Sequence, residues 1–152
     1  MIKIDVFVQN KTWKRYISNP KTYLKRKIKY ADYPIGLIRK KNTNFSILLA
    51  GNKEIKFLNK KFRKKNKITD ILSFPYYSYN ELKKANSRKK IYLGDIIVNV
   101  HKINKKNFKI EFDKLWIHGL LHLVGYKHRF NKDFDKMNFM EKKIFKIVNT
   151  NK

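Results

Sequence analysis

The alternation of apolar and polar positions predicts an interleaved series of short strands and helices. Residues 2–8 alternate as a half-buried strand does, and three later runs are short, apolar and bounded by turn-forming residues. Strands are therefore predicted at 2–8, 45–50, 71–74 and 93–100. Helical spacing predicts helices at 13–30 (interrupted at Asn19-Pro20), 53–63, 109–124 and 133–148. Residues 77–91 are polar and basic, which favours a loop or a hairpin.

An apolar stripe on the last predicted helix marks the side expected to face a core. Its members are Phe134, Met137, Phe139, Met140, Ile144 and Ile147. Helix 53–63 is expected to place Ile55, Leu58, Asn59 and Phe62 on one side. The chain shows no internal repeat and no composition shift that would indicate a linker. We therefore expect one α+β domain over residues 1–152, with a small mixed sheet packed with about four to five helices.

Composition narrows the class of protein. Hydrophobic residues make up 42% of the chain, far more than disordered segments carry, so a folded core is expected. The absence of cysteine excludes disulfides and every zinc site that needs a thiolate. The N-terminal segment reads as a strand containing acidic Asp5 and not as a signal peptide, and no run reaches the roughly 18 apolar residues of a membrane helix. We expect a cytoplasmic protein without a membrane partner.

The formal net charge of +27 has two interpretations. Lysine and arginine displace condensed counterions from nucleic acid, so a polyanionic partner would explain the excess. Alternatively, an AT-rich coding sequence would enrich lysine together with Asn, Ile, Tyr and Phe, and only six of the 38 basic residues are arginine. The charge by itself identifies no partner.

Three of the four histidines lie within one segment, His118-Gly-Leu-Leu-His-Leu-Val-Gly-Tyr-Lys-His128. On a helix, His118 and His122 project from the same face about one turn apart, because residues four apart are neighbours there. Gly125 can end the helix in the left-handed conformation and let the chain bring His128 back to the other two. Three neutral imidazoles can bind one zinc ion and leave a fourth position open, which is the arrangement of catalytic zinc sites.

The same ligand spacing occurs in the metzincin peptidases, which carry H-E-x-x-H-x-x-G-x-x-H. In those enzymes the residue after the first histidine is the glutamate that takes a proton from water. Here that residue is Gly119, so the metal site is expected to survive while a peptidase mechanism lacks its base. The remaining histidine, His101, has no such neighbours and is expected on the surface after a strand.

The histidine segment resembles the H-G-x-L-H-L-x-G-Y-D-H signature of the YbeY family, bacterial metal-dependent endoribonucleases that act in ribosomal RNA maturation. Two further segments agree in order and spacing. Leu58-Asn-Lys-Lys-Phe-Arg63 followed by Ile68-Thr-Asp-Ile-Leu-Ser-Phe-Pro75 is similar to the family's L-N-x-x-(Y/F)-R and T-D-V-L-S-F-P block. Leu93-Gly-Asp-Ile96 is similar to its L-G-D-I strand. The resemblance extends from the first strand to the last helix.

The resemblance implies a function and a set of site residues. His118, His122 and His128 match the family's zinc ligands, with one Zn²⁺ per chain on the long helix and the turn after it. Arg63 matches an arginine of the family's active-site cleft, where a guanidinium could grip a phosphate through two hydrogen bonds. The implied partners are single-stranded RNA, a ribosomal RNA precursor and the small ribosomal subunit, and the implied reaction is phosphodiester hydrolysis by metal-activated water.

Other residues of the matching segments have no assigned chemistry. Thr69, Asp70 and Ser73 fall in the family block, but nothing in the sequence gives them a role. Asp95 is expected either to support a histidine or to hold a strand end. The family's aspartate before the third histidine is replaced here by Lys127, and an ammonium beside the site does not favour a cation.

Two other functions stay open at this point. A non-catalytic factor that binds ribosomal RNA or the ribosome, with a structural zinc, would also explain the basic composition and Lys127. A metallopeptidase is supported by the histidine spacing and opposed by Gly119. The nuclease hypothesis adds specific expectations, because it uses Arg63 on the phosphate and Tyr76, Tyr77 or Tyr79 as stacking partners for RNA bases.

Overall fold

Four strands form one mixed sheet in the computed structural model, which describes residues 1–150. The strands are β1 (Ile2–Val8), β2 (Thr43–Ala50), β3 (Ile71–Pro75) and β4 (Ile91–Asn99). Their order in the sheet is β1-β2-β4-β3, with β1, β2 and β4 parallel and β3 antiparallel to β4. This confirms the predicted α+β class and mixed sheet. The last two residues of the predicted domain, 151 and 152, lie outside the described part of the chain.

Six α-helices surround the sheet within residues 1–150. They are α1 (Trp13–Tyr16), α2 (Pro20–Ile28), α3 (Asn52–Arg63), α4 (Tyr79–Lys84), α5 (Phe108–Leu123) and α6 (Asn131–Thr150). A 3-10 turn at Val100–Lys102 follows β4. The predicted break at Asn19-Pro20 separates α1 from α2, where the Asn19 side chain accepts a hydrogen bond from the Thr22 backbone N–H at 3.1 Å.

Helix α5 forms the centre of the core, packed between the sheet and α6. Most of its apolar side chains are buried, and Phe112, Trp116, Ile117, Leu120 and Leu121 are fully so. A helix that is apolar nearly all round is buried on several sides, so it holds its C-terminal histidines on a rigid support.

A buried polar network anchors α5 to α2 and α6. Asp113 on α5 accepts hydrogen bonds from the Tyr23 hydroxyl at 2.9 Å and from the Trp116 indole at 3.0 Å. Its other oxygen pairs with the Lys27 ammonium at 2.5 Å, which also donates to the side chain of Asn149 on α6. Burial and the neighbouring Asp113 raise the pKa of the Tyr23 hydroxyl, which therefore stays protonated as a donor.

Two sequence-based expectations for the helices were wrong. The segment predicted as a loop or hairpin contains α4, which begins with a capping box in which Ser78 and Glu81 satisfy each other's backbone N–H groups. In the apolar stripe of α6, Phe134 and Phe139 are exposed, and the buried side consists of Met137, Met140, Ile144 and Val148. On α3, for which only a shared side was predicted, Phe62 is exposed and stands edge-on to Phe74.

The glycine of the Leu93-Gly-Asp-Ile96 segment is required by close approach of two strands. Gly94 has φ of +140°, and a Cβ built on it would lie 2.2 Å from the backbone oxygen of Phe74 on the neighbouring strand. A side chain at this position would therefore separate β3 from β4. Since β3 forms one wall of the candidate site described next, this glycine holds that wall in place.

Candidate metal centre and its cleft

The C-terminal half of α5 places two of the predicted ligands together. His118 and His122 lie one turn apart with their Nε2 atoms 3.0 Å from each other. The helix ends at Leu123, and Gly125 turns the chain with φ of +97°. Left-handed geometry at this point brings His128 back, so that one ring nitrogen from each of the three histidines lies within 4.8 Å of the others. This is the arrangement that the spacing predicted.

The opposite ring nitrogens of the two helical histidines are held by acceptors. Nδ1 of His118 lies 2.9 Å from Oε1 of Glu141 on α6, and Nδ1 of His122 lies 2.9 Å from the backbone oxygen of Tyr126. A carboxylate and a carbonyl oxygen can only accept, so the neutral rings carry their proton on Nδ1. Their Nε2 atoms then present lone pairs to the same point.

Converging lone pairs fit a metal ion. Two unprotonated nitrogens 3.0 Å apart repel each other unless a cation lies between them. Burial, reinforced by the neighbouring His118 and His128, lowers the pKa of His122 to about 4, so its ring is neutral at physiological pH. His118, His122 and His128 can therefore hold a metal ion, and three imidazoles suit zinc and other first-row transition metals.

A cleft of about 660 Å³ opens in front of the three histidines and is strongly cationic. Its walls come from the end of α3, the loop after it, β3, α4 and the turn after α5. The basic side chains that line it are Arg63, Lys65, Lys67, Lys127 and Arg129. No carboxylate is among the residues that line it in the described part of the chain. An anionic ligand is therefore favoured in this cleft.

Arg63 ends α3 and lies in the same cleft as the three histidines. Its Nη2 donates a hydrogen bond to the backbone oxygen of Ser73 on β3 at 2.6 Å, and its guanidinium stands 5.4 Å from the ring centroid of Phe74. The fold thus brings Arg63 into one cleft with His118, His122 and His128.

A buried asparagine fixes the path of the loop between α3 and β3. Lys64 adopts the left-handed conformation with φ of 57°, which ends α3. Asn59 is buried on α3, and its amide donates to the backbone oxygen of Lys67 at 3.0 Å. Its own backbone oxygen accepts from the N–H of Lys65 at 3.2 Å. These contacts place Lys65 and Lys67 at the rim of the cleft.

The other candidate residues are divided between the cleft and the rest of the surface. Thr69, Ser73, Tyr77 and Tyr79 line the cleft, whereas Tyr76 and Asp70 are not among its lining residues. His101 is exposed in the 3-10 turn after β4, as expected.

Asp95 does not support a histidine, which corrects one of its two expected roles. It accepts a hydrogen bond from the Tyr92 hydroxyl on the same strand, and Tyr92 also lies 2.9 Å from the Ser46 hydroxyl. Burial, together with the bond to Asp95, raises the pKa of Tyr92 to about 12. Asp95 therefore belongs to a small polar cluster on β2 and β4, away from the metal centre.

Gly119 faces the sheet and not the cleft. A Cβ at this position would lie 3.0 Å from Cδ1 of Ile71 and 3.1 Å from Cδ1 and Cγ2 of Ile96. The position that holds the catalytic glutamate in metzincin peptidases is therefore buried against β3 and β4 in this fold. A carboxylate there would point into the core, which removes the structural basis for a peptidase mechanism.

Sequence reasoning missed the partner of His118. Glu141 lies on a different helix, and the only local sign of it is a carboxylate next to buried Met140 on the packed side of α6. It also missed the cleft lysines of the α3–β3 loop, because many lysines of this chain are equally basic and exposed.

Sequence comparisons with known proteins relate this chain to one family. Residues 7–149 match the sequence profile of the family described as Endoribonuclease YbeY. A protein of that name from Pelagibacter ubique is 44% identical over 156 residues, covering 99% of this chain and 98% of the relative. One from Thermodesulfovibrio yellowstonii is 36% identical, covering 86% of this chain and 85% of its own. The solution structure of a Thermotoga maritima protein superposes with a TM-score of 0.58 at 26% identity, over 97% of this chain and 89% of that one.

Proposed function

We propose that this chain, which belongs to the Endoribonuclease YbeY family, is a zinc-dependent endoribonuclease that cleaves single-stranded RNA during ribosomal RNA maturation. The observation that carries the proposal is the convergence of three imidazole nitrogens within 4.8 Å of one another, in a cleft that also contains Arg63 and is lined by cations. The whole chain, residues 1–152, is proposed to act as one catalytic domain.

The metal would be held by the three histidines. His118 and His122 would bind through Nε2, because their Nδ1 atoms are engaged with Glu141 and with the Tyr126 carbonyl. Zinc bound by three imidazoles supplies a Lewis acid that lowers the pKa of water and polarises a phosphoryl group. The Glu141 carboxylate and the Tyr126 backbone carbonyl in turn fix the orientation of the two helical rings.

The cationic cleft would bind and orient the RNA backbone. Arg63 uses one N–H on the Ser73 carbonyl and keeps further donors for a phosphate. The lysines of the α3–β3 loop and of the turn after α5 line the same cleft as the histidines and would neutralise neighbouring phosphates. Tyr77 and Tyr79 line the same cleft and offer rings on which single-stranded bases can stack.

A general base is not assigned to any side chain of the cleft. Within residues 1–150, the lining includes no Asp or Glu, and two of its histidines have their Nδ1 atoms occupied. The side chains are therefore proposed to bind, orient and stabilise charge on the phosphate.

The proposed partners are a ribosomal RNA precursor and the small ribosomal subunit, and the proposed location is the cytoplasm. None of the helices within residues 1–150 is long and apolar enough to cross a membrane. RNA is the partner that the proposal needs.

Cleavage of a labelled single-stranded RNA tests the proposed activity. Purified protein should cleave it, a chelator should abolish cleavage, and added zinc should restore it. A duplex of the same sequence should be cut more slowly. RNA binding that survives chelation, combined with no cleavage under any metal condition, would support a non-catalytic RNA-binding factor instead.

A further inference from the structure

Glu141 is the one carboxylate that contacts a histidine of the metal centre within residues 1–150. Its Oε1 lies 2.9 Å from Nδ1 of His118, with side chains that are 30% and 32% exposed respectively. His122 is held by a neutral backbone carbonyl, and His128 has no hydrogen-bond partner among the described residues. The three histidines therefore differ in their supports, and only one support carries a charge.

The surroundings of the cluster make that charge important. Five Lys or Arg side chains line the cleft, and Lys127 immediately precedes His128. A positive potential of this kind opposes the entry of a dication and opposes its retention. In the described part of the chain, the residues that line the cleft supply no compensating carboxylate. Glu141, which contacts His118 from behind, is the nearest source of negative charge that the hydrogen bonds reveal.

The position of Glu141 on α6 is fixed by packing. Met137 and Met140 precede it and Ile144 follows it on the side of α6 that is buried in the main core. Its carboxylate thus has a defined place beside α5, and it is not a surface side chain that happens to reach a ring.

We propose that Glu141 is the positioning residue of the metal centre: it holds His118 in the Nδ1–H tautomer and supplies the negative charge that offsets the cationic cleft. The inference rests on the proposed metal site. A hydrogen bond to the distal nitrogen fixes the tautomer and the orientation of the ring, so Nε2 of His118 is held with its lone pair towards the other two histidines.

Two substitutions separate orientation from charge. Glu141→Ala removes both, whereas Glu141→Gln keeps an acceptor oxygen and removes the charge. Glu111→Ala is the matched control, because it deletes a carboxylate of α5 that pairs with Lys114 at the surface and is not among the residues that line the cleft. Thermal unfolding of each metal-free protein checks that the variants fold.

The first measurement is zinc affinity by competitive titration, without RNA. We expect Glu141→Ala to weaken zinc binding about 10- to 100-fold, the range typical of such partners, with a smaller loss for Glu141→Gln. Glu111→Ala should bind zinc within about twofold of the parent protein, as expected for a screened surface charge. Equal affinity in the parent and Glu141→Ala would overturn the proposal.

The second measurement is the tautomer of His118 in the metal-free protein, from long-range ¹H–¹⁵N correlation spectra. The parent and Glu141→Gln should show the proton on Nδ1, and Glu141→Ala should show the Nε2–H form. An unchanged tautomer in Glu141→Ala would contradict the positioning role. Both measurements are independent of RNA cleavage, so the proposal can hold even if the nuclease activity is not found, and can fail if it is.

Discussion

The guanidinium of Arg63 donates to the backbone oxygen of Ser73 at 2.6 Å while its face stands 5.4 Å from the ring of Phe74. One N–H donor of the guanidinium is thereby fixed on β3, which orients the N–H donors that remain. We expect Arg63→Ala to lower kcat/KM for RNA cleavage on the order of 100-fold, as removal of a preorganised donor to developing charge does. Arg63→Lys should recover only part of the rate, since an ammonium cannot reproduce two parallel hydrogen bonds.

Arg39→Ala is the matched control for this prediction. Arg39 also packs against an aromatic ring, 4.2 Å from the centroid of Tyr33, but is not among the residues that line the cleft. The Arg39→Ala protein should cleave RNA at the parental rate, and both variants should retain their zinc content. A parental cleavage rate in Arg63→Ala would mean that Arg63 acts only as one of many surface charges.

A second prediction concerns metal content. Three clustered imidazoles with two preset tautomers should retain about one equivalent of zinc per chain after purification without a histidine tag. Elemental analysis measures this, and His101→Ala is the control because that histidine lies outside the cluster. His122→Ala should lose the metal and His101→Ala should not. Less than about a tenth of an equivalent after zinc is supplied would count against the site.

A third prediction concerns the buried network that anchors α5 to α2 and α6. Asp113 is 1% exposed and its partner Lys27 is 11% exposed, so removing one partner leaves a buried charge without compensation. We expect Asp113→Ala to lower the free energy of unfolding by about 3–5 kcal/mol. Urea denaturation of the metal-free proteins measures the loss.

Glu111→Ala serves as its control, because the pair of Glu111 with Lys114 is exposed and should contribute less than about 1 kcal/mol. A loss for Asp113→Ala as small as that of the control would mean that water replaces the network without cost.

The sequence predicted the parts of this structure that depend on local patterns. The strands, the break at Asn19-Pro20 and the turn at Gly125 follow from periodicity and from glycine and proline chemistry, and the structure confirms them within a few residues. Arg63 was assigned to the cleft through the family resemblance, because no local sequence pattern indicates that position. Glu141 could not be found in this way, because its contact with His118 joins residues 23 positions apart on two helices.

Other failures have equally physical causes. An apolar stripe predicts the buried side of a helix only if a partner covers its whole width, and α6 leaves Phe134 and Phe139 uncovered. The capping signal at Ser78 and Glu81 was present in the sequence but was outweighed by the polar composition of its segment. Asp95 was assigned to the metal centre as one alternative because a sequence does not show which face of the sheet a residue occupies when a bulge lies nearby.

The last prediction uses Lys127, which replaces the aspartate of the family signature. Lys127 is exposed, lines the cleft with the three histidines, and directly follows the residue whose carbonyl holds His122. Lysine can turn its charge into water, so the effect on the metal is limited. We expect Lys127→Asp to tighten zinc binding about tenfold, the low end for a change beside the ligands, and to raise RNA cleavage at limiting zinc. At saturating zinc the gain should disappear, and the loss of a cleft cation should leave a weaker RNA affinity that is more evident at low salt.

Lys89→Asp makes the same change of charge in the segment between α4 and β4, away from the cleft, and should alter neither the zinc affinity nor the RNA affinity. If zinc affinity in Lys127→Asp is unchanged, the side chain acts on the RNA alone, and a weaker zinc affinity would contradict the predicted effect of the charge on the metal.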